Sequence, residues 1–439
     1  MKGLRWAGGS VAAVMLALVA LPPFVPLEAR RARFAEMATE RLGEPVTIAQ
    51  LTASLLPTPH FTARDVSIGR DGAVKIAVVV ARPRLTTLFR EQTVMRNVEF
   101  ADVTANQESL RYLSALLAPR DSKQHGVRVE HVVLARAVIR TALSEVGPLD
   151  ADIAMTADHG IARATVRGAD GRLVADVVPD GDAYAITVEA REWTLPWGPR
   201  LAFDSLRMKG SATAGHVHFR QVAAEAYGGM VEGAVKLAWN DEVVVSGDLA
   251  LTRLDLAALL GALSMKSRIT GRLDAKPRFS IHVESADTLH LQGPFDVHAA
   301  VLHGFDVQAA ASVVKQGNDK GETRFDQLSG QLAVNGKTYR YTNLKATSGA
   351  LAVRGNVALS PSKALSGKVY AQLEALGAAA EVPLNVGGTL DAPVIAPTAA
   401  SMAGAAVGTA VLGPVLGTSV GAKIGDVADN LLGSADERK

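Results

Sequence analysis

The stretch Phe279-Ser-Ile-His-Val-Glu284 places an apolar side chain at every second position and a polar one between. Successive side chains of a β-strand point to opposite faces of the sheet, so a period of two predicts a strand with one buried and one solvated face. The same alternation dominates residues 46–393 and recurs at Leu289 and Leu291, Phe295 and Val297, Leu351 and Val353, and Val357 and Leu359. The sequence therefore predicts a mainly β protein with a long, mostly antiparallel sheet.

A short unit, glycine followed by alternating apolar positions, recurs through the second half of the chain. Glycine permits the backbone of a turn or a bulge at little steric cost. We therefore expect these glycines to stand at strand starts, where the chain reverses direction. The unit begins at Gly233, Gly247, Gly271, Gly293, Gly330, Gly355 and Gly367.

The N-terminal residues 1–28 are predicted to be a membrane anchor. Residues 6–27 carry no charge, and about 20 predominantly apolar residues span a bilayer as a helix. A cleaved signal peptide is the alternative, but the small-x-small cleavage pattern is poor. Residues 29–45 then show apolar side chains at helical spacing before Gly43 and Pro45, which predicts a short helix leaving the membrane.

The C-terminal residues 398–439 differ from the β body that precedes them, residues 46–397. Small residues dominate, and no charge occurs between residues 398 and 422. A spacing of four places small residues on one side of a helix, where another backbone can approach closely. We expect a glycine-rich helix here that packs against a partner or inserts in a membrane, with a flexible Ala/Gly tail as the alternative. Its packing glycines would be Gly413, Gly417, Gly421 and Gly425.

Composition excludes several classes of function. The 46 basic and 44 acidic residues give a net charge of +2, which offers a nucleic-acid backbone no excess attraction. Cysteine is absent, so disulfides and thiol chemistry are excluded. Aromatic residues make up only 5%, which disfavours base stacking. We expect no nucleic-acid partner.

The sequence contains no recognisable catalytic motif. His216 and His218 would share one face of a strand, but no carboxylate cluster completes a metal site. Asp150 and Asp152 stand near Gly and Pro, as loop-tip residues do. We therefore expect no enzyme activity, no cofactor and no bound metal.

Phrases that occur in a fixed order along the chain resemble the AsmA-like family, whose fold is related to that of the bridge-like lipid transfer proteins. The phrases are Gly43-Glu-Pro-Val-Thr-Ile48, Leu55-Leu-Pro-Thr-Pro59, Asp65-Val-Ser-Ile-Gly69, Arg82-Pro-Arg-Leu85, Ala226-Tyr-Gly-Gly-Met-Val-Glu-Gly233, Leu254-Asp-Leu256, Leu302-His-Gly-Phe-Asp-Val307 and Glu381-Val-Pro-Leu-Asn-Val-Gly-Gly-Thr-Leu390. The resemblance implies an inner-membrane anchor, a periplasmic sheet curled into an apolar groove, and phospholipid movement toward the outer membrane.

Physical reasoning agrees with a groove in one respect. An apolar face that extends over many strands needs a covering layer, and the helical patterns at residues 109–117 and 255–263 are too short to supply one. A second sheet that fills the core is the alternative. If the face is open, acyl chains would contact Phe279, Ile281, Val283, Leu289, Leu291, Phe295, Val297, Leu351, Val353, Val357 and Leu359.

The leading prediction is a single-pass inner-membrane protein whose periplasmic body binds or moves phospholipid for outer-membrane biogenesis. The rival prediction is an envelope scaffold or assembly factor, which would bind outer-membrane or other envelope proteins through sheet edges or the C-terminal segment.

Overall fold

The computed structural model describes residues 31–54, 58–69, 72–87, 93–106, 127–140, 145–157, 160–196, 198–213, 215–239, 242–265, 268–283, 285–304, 321–349, 351–375, 378–390 and 392–398. The predicted anchor, residues 1–28, lies outside this set. So do the helix predicted at residues 109–117 and the glycines from Gly413 to Gly425.

The fold is mainly β, with a long, mostly antiparallel sheet, which confirms the predicted class. The chain divides into two compact units, of which unit 1 comprises residues 1–224 and 234–243 and unit 2 comprises residues 225–233 and 244–439. Each unit carries one described α-helix, at Arg31–Leu42 (α1) in unit 1 and Leu256–Ala262 (α2) in unit 2.

Unit 1 contains the first half of the strands. They are β1 (Val46–Ser54), β2 (His60–Ile68), β3 (Val74–Pro83), β4 (Thr93–Asn106), β5 (Val127–Val129), β6 (His131–Arg140), β7 (Glu145–Met155), β8 (Ile161–Gly168), β9 (Leu173–Asp180), β10 (Ala183–Thr194), β11 (Ala202–Ala212) and most of β12 (His216–Ala226), together with the end of β13 (Gly229–Trp239). A 3-10 turn lies at Leu85–Thr87.

Consecutive strands pair antiparallel from β1 to β4 and from β6 to β11. The exception is β4, which pairs parallel with both β5 and β6. A parallel pair needs a crossover of about a dozen residues or more. Residues 107–126 between β4 and β5 are long enough for that connection.

Unit 2 contains the end of β12, the start of β13 and, apart from Val243 at the start of β14, the remaining strands. They are β14 (Val243–Asp255), β15 (Ile269–Ala275), β16 (Arg278–His282), β17 (Ser285–His303), β18 (Glu322–Asn335), β19 (Thr338–Ser348), β20 (Leu351–Leu359), β21 (Leu365–Ala375), β22 (Ala378–Gly388) and β23 (Pro393–Pro397). Strands β15 and β16 each pair with both β14 and β17. From β17 to β23 every strand pairs antiparallel with the next along the chain.

The helix predicted at residues 255–263 is confirmed as α2. Asp255 is its N-cap, and the side-chain Oδ1 accepts a hydrogen bond of 3.0 Å from the Ala258 backbone N–H. Such a cap satisfies a backbone donor that the first turn leaves without an intrahelical partner.

Three β-bulges in the sheet follow one pattern. In each, two residues of one strand face a single residue of the next, and the second of the two has a positive φ. Its backbone N–H donates to Oδ1 of the single residue opposite. The donor–acceptor pairs are Arg136 with Asp150 (2.9 Å), Arg253 with Asp274 (2.6 Å) and Asn343 with Asn356 (3.0 Å).

These bulges correct the prediction that Asp150 and Asp152 lie at a loop tip. Both residues lie within β7. Asp150 closes the first bulge, and the Asp152 Oδ1 lies 2.9 Å from the His131 Nε2. The cis peptide bond between Gly147 and Pro148 occurs inside the same strand, so the neighbouring Gly and Pro do not mark its end.

The prediction that the recurring glycines begin strands is wrong for most of them. Gly233, Gly293, Gly330 and Gly355 lie inside strands. A Cβ at Gly355 would stand 2.3 Å from the Lys368 carbonyl oxygen of β21. Glycine is needed there because the neighbouring backbone approaches too closely for a side chain.

We expect Gly355→Ala to lower the free energy of unfolding by about 2–4 kcal/mol, because the new methyl group must displace backbone atoms of β21. Gly387→Ala is the matched control, since nothing lies within 4 Å of a Cβ built at that position of β22. Urea denaturation of the full-length chain measures both. Equal effects of the two substitutions would contradict the close approach at Gly355.

We expect Asp150→Ala to weaken the bulge in β6, because the Arg136 N–H loses its acceptor. A net hydrogen-bond contribution of about 1 kcal/mol corresponds to roughly fivefold faster amide exchange at Arg136. Asp150→Asn keeps an Oδ1 acceptor and should retain the protection. Hydrogen exchange of the peptide that contains β6 tests this, and unchanged exchange in the alanine variant would exclude the proposed role of the side chain.

Candidate functional site

One face of the sheet in unit 2 is apolar, and we call it the apolar face. Directly opposed residues on neighbouring strands share a side of a sheet, and the opposed pairs here are apolar strand after strand. They include Phe279 with Leu291, Leu291 with Val334, Val297 with Leu328, Tyr341 with Val357, Val353 with Ala371, and Val369 with Leu384.

Most of the predicted lipid-contacting residues lie in the strands that build this face. Strand β16 holds Phe279 and Ile281. The other members are Leu289, Leu291, Phe295 and Val297 in β17, and Leu351, Val353, Val357 and Leu359 in β20. That these residues contact lipid stays a prediction.

Val283 departs from the predicted strand. Strand β16 ends at His282, and Val283 lies in the turn that follows. The Thr288 hydroxyl accepts a hydrogen bond of 2.9 Å from the His282 backbone N–H, so the strand ends on a side-chain partner. The alternation in the sequence continues one residue beyond the backbone pairing.

The apolar face is only partly buried. Val297 and Leu384 are 2% and 0% exposed, whereas Phe279, Leu291 and Val357 retain intermediate exposure. Helix α2 packs its leucines, Leu256, Leu259 and Leu260, against the cluster that includes Val297. The half-buried positions combine apolar side chains with access from outside, as a surface for an apolar ligand requires.

The opposite face is polar. Arg278 pairs with Asp248 at 2.5 Å, and both side chains are more than half exposed. The His298 Nε2 lies 2.9 Å from the Asp274 Oδ2 on the same side. Exposed ion pairs of this kind contribute little to stability, but they keep this side hydrated. Unit 2 therefore presents one wettable face and one apolar face.

Tyr341 gives the apolar face a polar group. Its ring meets Phe295 edge to face, with centroids 6.2 Å apart and planes at 88°. Phe295 lies over Gly330, where a Cβ would stand 3.1 Å from the ring. Burial raises the pKa of the Tyr341 phenol, and Tyr339 adds to the effect, so the phenol remains a neutral hydrogen-bond donor.

A raised phenol pKa makes the stability of the fold depend on alkaline pH. The contribution of Tyr341 to the free energy of unfolding is complete at pH values below the ordinary phenol pKa of 10.0. It is lost as the pH rises through the higher pKa of the folded state. Stability should therefore fall more steeply above pH 10.0 in the native chain than in Tyr341→Phe. Urea denaturation at several alkaline pH values measures the free energy of unfolding of both chains. Both carry the same lysines, so the difference between the two free energies cancels the effect of lysine titration. Parallel pH curves would contradict the shift.

Unit 1 has its own apolar core under α1. Phe34 and Ala38 of the helix are 2% and 0% exposed and pack with residues of the first strands, among them Leu51 and Val98. From β8 onward, some apolar positions of neighbouring strands have intermediate exposure, as at Val166, Val177 and Ile186. Others, such as Val188 and Leu206, are buried. Helix α1 therefore covers the apolar positions near the start of this unit.

A shallow pocket of about 700 Å³ lies in unit 2, beside the residues that connect β15 to β16. Lys276, Gln292 and Thr342 are among the residues that line it, beside the paired Asp248 and Arg278. These two opposite charges satisfy each other. Among the described residues of this lining, no nucleophile is arranged beside a general base.

The predicted histidine pair, His216 and His218, lies in β12, where the two residues share a face by their spacing. The His216 Nδ1 lies 3.0 Å from the Thr213 hydroxyl. Within the described ranges, no group of three or more histidine, aspartate or glutamate side chains is arranged to hold a metal ion. From Arg31 onward, none of the described helices is both long and apolar enough to cross a bilayer.

Comparisons with protein-family models, with curated proteins and with solved structures found no match to this chain. The resemblance to the AsmA-like family therefore rests on the sequence phrases alone and stays a prediction.

Proposed function

We propose that the chain handles phospholipid, binding its acyl chains in an apolar groove formed by a curled sheet. In this proposal residues 1–28 anchor the protein in the inner membrane as a single pass, the body lies in the periplasm, and bound phospholipid moves toward the outer membrane. The observation that carries the proposal is the half-buried apolar face of unit 2, which extends from β16 to β23.

The energetics favour an acyl chain on this face. Each methylene moved from water onto an apolar surface contributes about 0.8 kcal/mol. The aliphatic side chains of Leu291, Val353 and Val357 also lose water contact when a chain covers them. Branched aliphatic surfaces of this type suit any saturated acyl chain, so the face favours a lipid class over one particular chain length.

The polar face supports the same function from the other side. Its ion pair and exposed polar residues keep unit 2 compatible with an aqueous compartment while the opposite face holds lipid. A protein that carries lipid through water needs both properties at once. The absence of cysteine suits an oxidising compartment such as the periplasm.

The test compares adjacent positions on opposite faces of β20. A photo-crosslinking residue is placed at Val357, on the apolar face, or at Ala358, on the polar face, in the full-length chain in Gram-negative cells with radiolabelled phospholipid. Because successive residues point to opposite sides, we expect labelled lipid on the protein at position 357 and little at position 358. Equal labelling would contradict an acyl-lined face.

A charge at the same pair of positions tests the energetics. Val357→Asp should reduce co-purifying phospholipid several-fold, because an unpaired carboxylate on an apolar surface is costly. Ala358→Asp should leave lipid unchanged, and circular dichroism should report a folded sheet for both. Normal lipid content in Val357→Asp, together with defects caused by changes in Gly413–Gly425, would favour the envelope scaffold instead.

A further inference from the structure

We propose that the hydroxyls of Tyr339 and Tyr341 donate hydrogen bonds to the ester carbonyls of a diacyl glycerophospholipid. The two tyrosines would then select ester-linked lipid and fix where its glycerol region lies on the apolar face. This inference rests on the proposed lipid-binding function and adds the chemical class of the ligand.

Both tyrosines stand among apolar neighbours. In the register of β19, Tyr339 lies opposite Val334 of β18 and Leu359 of β20. Tyr341 lies opposite Leu332 and Val357 in the same way. The residue between them, Arg340, is exposed on the polar side. The two phenols therefore share the apolar face at positions separated by two residues, roughly 7 Å along the strand.

The hydroxyls lack partners within the part of the chain that the structure describes. The Tyr341 ring is held by its edge contact with Phe295, and neither phenol oxygen has a hydrogen-bond partner there. A tyrosine on an apolar surface usually satisfies its O–H. Both side chains keep intermediate exposure, so a ligand that lies on the face can reach them.

The neighbouring residues favour a neutral acceptor over an anion. A phosphate or a free carboxylate would need a cation to offset its desolvation, and the residues opposite both tyrosines are aliphatic. An ester carbonyl is an uncharged acceptor attached directly to an acyl chain. A diacyl glycerophospholipid carries two of them on adjacent glycerol carbons, which suits two donors on one strand.

The test uses two lipids that differ only in their carbonyl groups. Full-length protein in detergent-free polymer particles is titrated with a short-chain diacyl phosphatidylcholine or with its dialkyl ether analogue, and binding is measured by displacement of an apolar fluorescent dye. Two neutral hydrogen bonds predict about tenfold tighter binding of the ester lipid. The double variant Tyr339→Phe, Tyr341→Phe should bring that ratio close to one while leaving ether-lipid binding unchanged.

Tyr370→Phe is the matched control, because Tyr370 lies in β21 beside the Arg354 guanidinium, 5.1 Å from its ring centroid. Its opposed neighbour Arg354 is exposed, and the control should keep the tenfold ratio. Equal binding of the two lipids by the native chain, or a preference that survives in the double variant, would overturn the tyrosine assignment alone. Failure of both lipids to bind the native chain would instead overturn the proposed function.

Discussion

The structure of unit 2 depends on keeping apolar side chains on one side of a sheet over many strands. A shift of one residue in a strand moves every later side chain to the opposite face. Tyr341 and Leu344 are three residues apart, yet they oppose Val357 and Gly355, which are two apart. The bulge at Asn343 absorbs the extra residue, so both strands keep their apolar positions in step.

The coarse fold can be predicted because alternation reports directly on the burial of side chains. The mainly β class with antiparallel pairing is accessible in this way, and helix α2 is predicted from leucines at helical spacing, Leu256, Leu259 and Leu260. Alternation misplaces the glycines, because it carries no information about how closely the next strand approaches. At Gly355 the constraint comes from the Lys368 carbonyl oxygen in β21, and that contact exists only after the strands have paired.

Two of the bulges also have a signal in the sequence. A prediction of strands from alternation alone does not use that signal. Leu251-Thr-Arg-Leu254 and Tyr341-Thr-Asn-Leu344 both interrupt a period of two with two polar residues between apolar ones. Each interruption coincides with a bulge. The candidate site is predicted through its aliphatic residues, whereas Tyr339 and Tyr341 are missed, because alternation does not distinguish a tyrosine from any other large side chain.

The acceptors that close the three bulges, Asp150, Asp274 and Asn356, stand in their strands between residues that are apolar or glycine. Backbone shape and the chemistry of the apolar face are thus determined by separate sets of side chains. Aliphatic residues such as Val353 and Val357 can be exchanged for others of similar size without disturbing the hydrogen bonds that bend the strands. A sheet organised in this way can change the chemistry of its apolar face while its backbone architecture stays the same. Protein engineers could therefore redesign the residues of that face without altering the residues that close the bulges.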